Sequence, residues 1–403
     1  MKTNIFIVTI IKKFLALTLP ATLILSCNSA NNSDSTNQEQ TTNQSKEQQN
    51  ITQPPAQTPK PNVERINDKS IYTAFYSPKN KKCKVYKNKE LLYNFDCNQP
   101  IRKIRAKNGK TYMATTTICD ENTQQPTSPA QIFCNGTKLF EYPKNFKIAD
   151  FFVDDNNKIY AIGNMYSKDF DKQPVVIIQN ESTIDTLLNE QNYSGELISI
   201  YSNDVYAVCS NIDDDGVGES KIFKNNKLLY KISGNVYNLA PLKNQIYSIA
   251  YVFDDDMQMP IGQLYKNDQP IAYFAEDQRN NGYIRINGQN YQPFHDNFAI
   301  LDNDIYLETT DILNDGISLT SLWKNGKRQS TFSGDQDAMP ENSMFITNCL
   351  SMCGGEQDIY RVCVANDMDF SFSTFYLLKN STIFYEFVGL TDDYCCGLAW
   401  GDF

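Results

Sequence analysis

Histidine is almost absent: His295 is the one imidazole in 403 residues. That excludes histidine-rich metal centres and leaves imidazole acid–base chemistry a single candidate. It stands in Gln292-Pro293-Phe294-His295-Asp296 with no nucleophile motif nearby, and reads as a hydrogen-bonded loop histidine. Basic charge is also short, with 37 Lys and Arg against 47 Asp and Glu for a net charge of −10, which argues against a nucleic-acid partner. There is no G-x-S-x-G elbow, phosphate loop or H-E-x-x-H helix. Glycine (18) and proline (16) are sparse, whereas Tyr (24) and Phe (23) are plentiful, a balance that favours strands over helices. With 41% hydrophobic residues, the chain can fill a large core, either of two or three domains or of one large β architecture.

The first 27 residues read as an export address. Lys2, Lys12 and Lys13 form a positive region, and the apolar stretch from Phe14 to Leu25 is too short to cross a bilayer. The stretch ends in Ile24-Leu25-Ser26-Cys27, which resembles the lipobox of bacterial lipoproteins. That resemblance implies a signal peptide over 1–26, cleaved before Cys27, and acylation (palmitate) of Cys27. Residues 27–62 are then a lipidated tether of Asn, Ser, Thr, Gln, Pro, Glu and Lys, with no apolar face to order it. Asn28, where an Asp would signal inner-membrane retention in such lipoproteins, implies the outer membrane. Asp34-Ser35-Thr36 resembles a short O-glycosylation sequon of Bacteroidetes secreted proteins.

From residue 63 the chain repeats itself. A strand ending in Asn recurs seven times: Val85-Tyr86-Lys87-Asn88, Ile132-Phe133-Cys134-Asn135, Ile177-Ile178-Gln179-Asn180, Ile222-Phe223-Lys224-Asn225, Leu264-Tyr265-Lys266-Asn267, Leu322-Trp323-Lys324-Asn325 and Leu377-Leu378-Lys379-Asn380. Asn tolerates the left-handed conformation of a tight hairpin, and Gly136 and Gly326 complete the favoured Asn-Gly pair twice. About twenty residues before each copy stands a strand carrying Tyr72, Tyr112, Tyr160, Tyr206, Tyr247, Tyr306 or Tyr360. Apolar residues on both faces of short strands, at a period of about 40 to 60 residues, fit four-stranded blades. The expectation is an all-β, seven-bladed propeller over 63–403, with a β-sandwich as the alternative. Its strands run A to D from the channel outwards; the Tyr strand is B and the Asn turn joins C to D. The tail around Cys395-Cys396-Gly397-Leu398-Ala399-Trp400 is an A strand without partners of its own. It should pair with Ile71–Phe75 and close the ring.

In this scheme the B–C and D–A connections share one face. Six of the seven B–C connections carry acid: Asp120 and Glu121, Asp169 and Asp171, Asp213 to Asp215, Asp254 to Asp256, Asp311 and Asp315, Asp367 and Asp369. The first is basic, with Lys79, Lys81 and Lys82. Either these acids form a ligand-binding ring or they are solvated turns that keep edges soluble. Asn211-Ile212-Asp213-Asp214-Asp215-Gly216 places oxygen ligands at alternate positions before a Gly, as in a calcium loop. Asn211, Asp213 and Asp215 are the candidate ligands; Ile222 stands where the bidentate acid belongs, and Glu219 could substitute. Asp311 to Gly316 is a poorer match.

Ten cysteines lie beyond Cys27, and in an exported chain disulfides are the default. Cys119 and Cys134 fall at opposite strand ends, roughly 20 Å apart, too far to bridge. Cys83 and Cys97 share one C–D hairpin and are a candidate pair. Cys349, Cys353, Cys395 and Cys396 are candidates for a cluster, as disulfides, buried thiols or a zinc site. Cys209 and Cys363 read as core, and Trp323 as packing rather than a sugar platform. The chain resembles Bacteroidetes-type secreted lipoproteins with Tyr-Lys-Asn-Gly repeats, over roughly 72 to 390. The resulting expectation is a non-catalytic, membrane-anchored binding module that engages a protein or glycan through the acidic face. The alternative is a glycoside hydrolase or lyase with paired carboxylates at the channel mouth.

Overall fold

The computed structural model describes residues 69–119, 126–166, 173–190, 192–212, 218–254, 259–271, 278–280, 283–286, 289–291, 294–312, 318–332, 345–354, 357–367, 373–380, 382–387 and 394–402. Cys27, the signal and the tether lie outside these residues, as do Asp213 and Asp215. The chain divides into two units, Met1–Ile66 and Asn67–Phe403, and every described strand belongs to the second.

That second unit is a seven-bladed β-propeller of antiparallel four-stranded sheets, with no helix among the described residues. Blade 1 joins the C-terminal strand Tyr394–Asp402 to Lys69–Ser77, Lys82–Lys87 and Glu90–Asp96. The expected closure is present: Leu398 lies opposite Thr73 and Ala399 opposite Tyr72. The inner A strands of blades 2 to 7 are Ile101–Lys107, Phe146–Val153, Tyr193–Tyr201, Asn235–Leu242, Phe294–Leu301 and Phe345–Gly354. Two additions decorate the blades: the Ile118–Cys119/Pro126–Ser128 hairpin in the second B–C connection, and three short strands over 278–291 between blades 5 and 6.

The core is a ring of layers between blades, which is why the strands are apolar on both faces. Tyr72 and Val85 of blade 1 meet Ile101 and Met113 of blade 2, Ile162 of blade 3 meets Ile198 of blade 4, and Ile71 closes the circle against Val362 of blade 7. Trp323 is 1% exposed and donates its indole N–H to Thr309 Oγ1 at 2.8 Å, which makes it packing.

The repeat Asn has a two-part job. All seven adopt positive φ between 47° and 56°. In each blade the Asn N–H donates to the carbonyl of a residue among the first three of strand B, and its Oδ1 accepts that same residue's N–H. Ile71–Asn88, Ile159–Asn180 and Ile305–Asn325 are examples. Glycine would supply the φ but not the second bond. Blades 4, 6 and 7 extend the staple: Asp204, Asp304 and Asp358 accept from the Asn amide and pair with Lys224, Lys324 and Lys379 at 2.7 to 2.9 Å. Those lysines lie over the rings of Tyr206, Tyr306 and Tyr360. Thus in these three blades the strand-B Tyr and the Lys-Asn pair that ends strand C form an architectural clamp. Asn325→Ala is expected to cost about 2 kcal/mol, from left-handed strain plus the lost bond. Asn325→Gly should cost about half as much, since only the bond is lost. Equal losses by thermal denaturation would remove the strain argument.

Two expectations need correction. His295 is not in a loop: it lies in strand Phe294–Leu301, opposite Thr309. Cys83 and Cys97 carry free thiols. Cys83 stands opposite Phe95, so Cys97 is its diagonal neighbour; such Cβ atoms are about 7 Å apart, beyond disulfide reach. Their sulfurs turn to Met113 Sδ and the Gln99 carbonyl instead. Cys353 is likewise a free thiol, and burial pushes its pKa up. On the backbone, Cys349 and Cys395 each precede a strand bulge in adjacent inner strands, whereas Cys353 lies four residues beyond Cys349 along its strand. The four therefore do not share one level.

Candidate functional site

Each of the seven inner strands carries one β-bulge at a corresponding place, toward the end where the D–A connection enters. The register skips Arg102, Ala149, Glu196, Tyr237, Asp296, Leu350 and Cys396. A bulge bends the strand and re-aims side chains, and a ring of them at one height shapes the mouth of the channel on the B–C face.

Between blades 2, 3 and 4 this ring is charged. Strand Ile101–Lys107 turns Lys103 and Arg105 toward blade 3, where Asp150 receives both, at 2.9 Å and 3.4 Å. Asp150 is 3% exposed and fully engaged. Its Oδ1 also accepts the N–H of Phe151, and its Oδ2 accepts the N–H of Ile198 in blade 4. Burial alone would raise this carboxyl, but Lys103, Arg105 and the Ile198 N–H outweigh it and hold the pKa below the usual range. Asp150 thus ties three inner strands together. Desolvation, reinforced by neighbouring Arg105, brings the Lys103 ammonium down to about 8.

Glu196 behaves oppositely. Burial raises its pKa, although the Ser194 hydroxyl donates to it and the charges of Arg102 and Lys147 act against the rise. Arg102 uses Nε on the Ala149 carbonyl and makes no ion pair among the described residues; burial lowers its pKa. On the blade 5 side, Tyr237 and Tyr251 stack with centroids 4.2 Å apart. The arrangement offers a guanidinium, an ammonium whose pKa is brought down to about 8, a carboxyl whose pKa is raised and an aromatic pair.

The sequence reading did not pick out this group. Its signal was present: Arg102, Lys103 and Arg105 interleave with apolar residues in one short strand of an acidic chain. The expected acidic ring stays defined by topology, which brings the B–C connections to this same end; most of its acids, Asp213 and Asp215 among them, lie outside the described residues. Asn211 sits in strand Asp204–Ile212, opposite Tyr193 and Glu219. Glu219, the stand-in calcium ligand, already accepts the Tyr193 hydroxyl at 2.7 Å and pairs with Lys231 at 3.0 Å. Among the described residues no three His, Cys, Asp or Glu side chains gather as a metal site.

No protein-family model matches the chain, and no curated protein matches it. Among solved structures, it is similar to the acylaminoacyl peptidase of Pyrococcus horikoshii, with 13% identity, a TM-score of 0.48, and coverage of 79% of this chain and 51% of that one. It is also similar to a dihydro-heme d1 dehydrogenase, with 9% identity, a TM-score of 0.45, and coverage of 82% and 66%. A polysaccharide lyase, an ulvan lyase, gives 10% identity, a TM-score of 0.38, and coverage of 70% and 81%. The chain spans half to two thirds of the length of the first two. These likenesses concern the propeller fold alone.

Proposed function

We propose that the protein is a membrane-anchored binding module, held through Cys27 at the outer membrane, that takes an anionic group of a glycan or protein ligand at the channel mouth. The observation that supports binding over catalysis is the saturation of Asp150. Its Oδ1 is occupied by Lys103, Arg105 and the Phe151 N–H and its Oδ2 by the Ile198 N–H, so Asp150 is not a free carboxylate partner for Glu196 in two-carboxylate chemistry. Arg102 and Lys103, in a chain of net charge −10, are the groups that would receive the anion.

A uronic-acid oligomer should therefore bind where the neutral oligosaccharide of equal length does not. Arg102→Gln is expected to weaken it about tenfold to a hundredfold, the worth of one charge-assisted hydrogen bond. Affinity should fall as pH rises through about 8, because Lys103 loses its charge there. Unchanged affinity in Arg102→Gln, or equal binding of the neutral sugar, would overturn the reading.

One observation favours the second reading, a carbohydrate-active enzyme: Glu196 is raised while Asp150 is lowered, a separation typical of acid–base pairs. Turnover of the same oligomer, abolished by Glu196→Gln with binding retained, would establish it.

A further inference from the structure

Blade 7 sets two cysteines face to face. Its inner strand Phe345–Gly354 pairs with strand B, Ile359–Asp367, and Cys349 stands directly opposite Cys363. Among the described residues no other two cysteines are directly opposed in a strand pairing. The kind of pairing follows from the repeat turn. The Asn380 N–H donates to the Ile359 carbonyl at 2.7 Å, so Ile359 directs its backbone bonds at strand C, Ser373–Lys379. That direction alternates along a strand, and the B–C register runs unbroken from Tyr360–Lys379 to Asn366–Ser373. Arg361 and Cys363 therefore also bond toward strand C. On the strand A side, Cys349–Cys363 is thus a non-hydrogen-bonded pair.

Such pairs bring two strands closest, with Cα atoms about 4.5 Å apart and both residues on one face of the sheet. That falls within the Cα window of a disulfide, about 4.4 to 6.8 Å. The diagonal Cys83 and Cys97 lack this geometry. Cys363 is a free thiol in this structure and is 0% exposed. Its Sγ lies 3.8 Å from Glu308 Oε1 and 3.9 Å from Thr320 Oγ1, both weak sulfur contacts. Arg361 holds the same Glu308 oxygen at 2.9 Å, so that carboxylate stays paired without the thiol. A change of the Cys363 side-chain torsion therefore gives up little.

We propose that Cys349 and Cys363 close a cross-strand disulfide when the chain folds in an oxidising compartment. The oxidant is a small-molecule or protein disulfide. One cysteine attacks it, forms a mixed disulfide and releases one thiol; the second cysteine then displaces the other thiol. Two cysteine thiols are oxidised, one disulfide is reduced to two thiols, and the cysteine protons pass to those thiols. Because Cys363 is buried, the exchange belongs to folding, and burial then shields the finished bond from reductants. The bond ties strands A and B of blade 7 one residue before the Leu350 bulge, beside the closing strand Tyr394–Asp402. It rests on the export reading only for its oxidant in the cell.

The test is non-reducing peptide mapping of the full chain, with free thiols blocked by N-ethylmaleimide in denaturant. One sample comes directly from cells, and a second is first equilibrated with oxidised glutathione in mild urea. Trypsin cuts after Arg328, Arg361 and Lys379, which parts Cys349 from Cys363 and both from Cys395 and Cys396. Peptides 329–361 and 362–379 should run linked and separate on reduction. Cys353→Ser should keep the link, and Cys349→Ala should abolish it. Reduction should lower the melting temperature by about 4 °C, as expected for a loop of about 15 residues in a propeller of this size. Cys349→Ala should show no such shift. A blocked Cys363 in both samples, or peptide 329–361 linked instead to 380–403, would overturn the proposal. A link formed with glutathione but absent in cells would keep the pairing and overturn the oxidising compartment. The anchor has its own readout: an alkyne-palmitate label in cells that is absent in Cys27→Ala.

Discussion

Deletion of residues 394–403 is expected to destabilise the propeller by on the order of 5 kcal/mol, since it removes a whole strand ladder and uncovers buried side chains. Tyr394–Asp402 pairs with strand B of blade 1 over eight positions, from Lys69–Asp402 to Tyr76–Tyr394. Ile71, Tyr72, Thr73, Ala74 and Phe75 are all at or below 1% exposure and would gain an open edge. Blade 1 would also lose its link to the inner strands of blades 7 and 2. An unpaired edge of that length templates association, so the truncated protein should aggregate as well as melt earlier. Hydrogen exchange should rise first in Lys69–Ser77, while the blade 4 strand Asp204–Ile212 stays protected. An unchanged melting temperature would refute closure as a source of stability.

The second large effect belongs to Arg361 and Glu308, an ion pair at 2.9 Å in which both side chains are 0% exposed. It joins the B strands of blades 6 and 7, and Arg361 Nη2 also donates to the carbonyl of Asn380, at the repeat turn. Cys363 Sγ lies 3.8 Å from Glu308 Oε1 and close to Thr320 Oγ1. Removing one partner strands the other charge in the core. Arg361→Met should therefore cost about 3–5 kcal/mol, with the melting temperature falling by several degrees. The double variant Arg361→Met/Glu308→Gln should recover a large part of that loss, because a buried pair often contributes little over an apolar replacement. Equal losses in single and double variants would mean that the arginine acts by volume rather than charge.

The two effects differ in how visible they are in the amino-acid order. The unpaired tail strand was legible because blade counting leaves Cys395–Trp400 without partners and Tyr72 without an inner neighbour. The Arg361–Glu308 pair was not. Arg361 follows a repeat Tyr and Glu308 lies in another B strand, and nothing in either segment distinguishes a buried charge from a solvated one. The disulfide expectation failed on a similar ground: hairpin membership placed Cys83 and Cys97 close, but register, set by the bulge between Val85 and Tyr86, placed them diagonally.

By itself, the sequence determined the all-β class, the seven blades, the identity of strands B and C, and the Asn turns. These follow from local chemistry: period-40 to period-60 spacing, two-faced apolar strands, and the residue most tolerant of positive φ after glycine. Only the tertiary structure decided what sits together. The inner-strand bulges and the convergence of Arg102, Lys103, Asp150 and Glu196 from three blades both depend on ring closure. That closure brings residues tens of positions apart to one height and one face, and no local spacing encodes it.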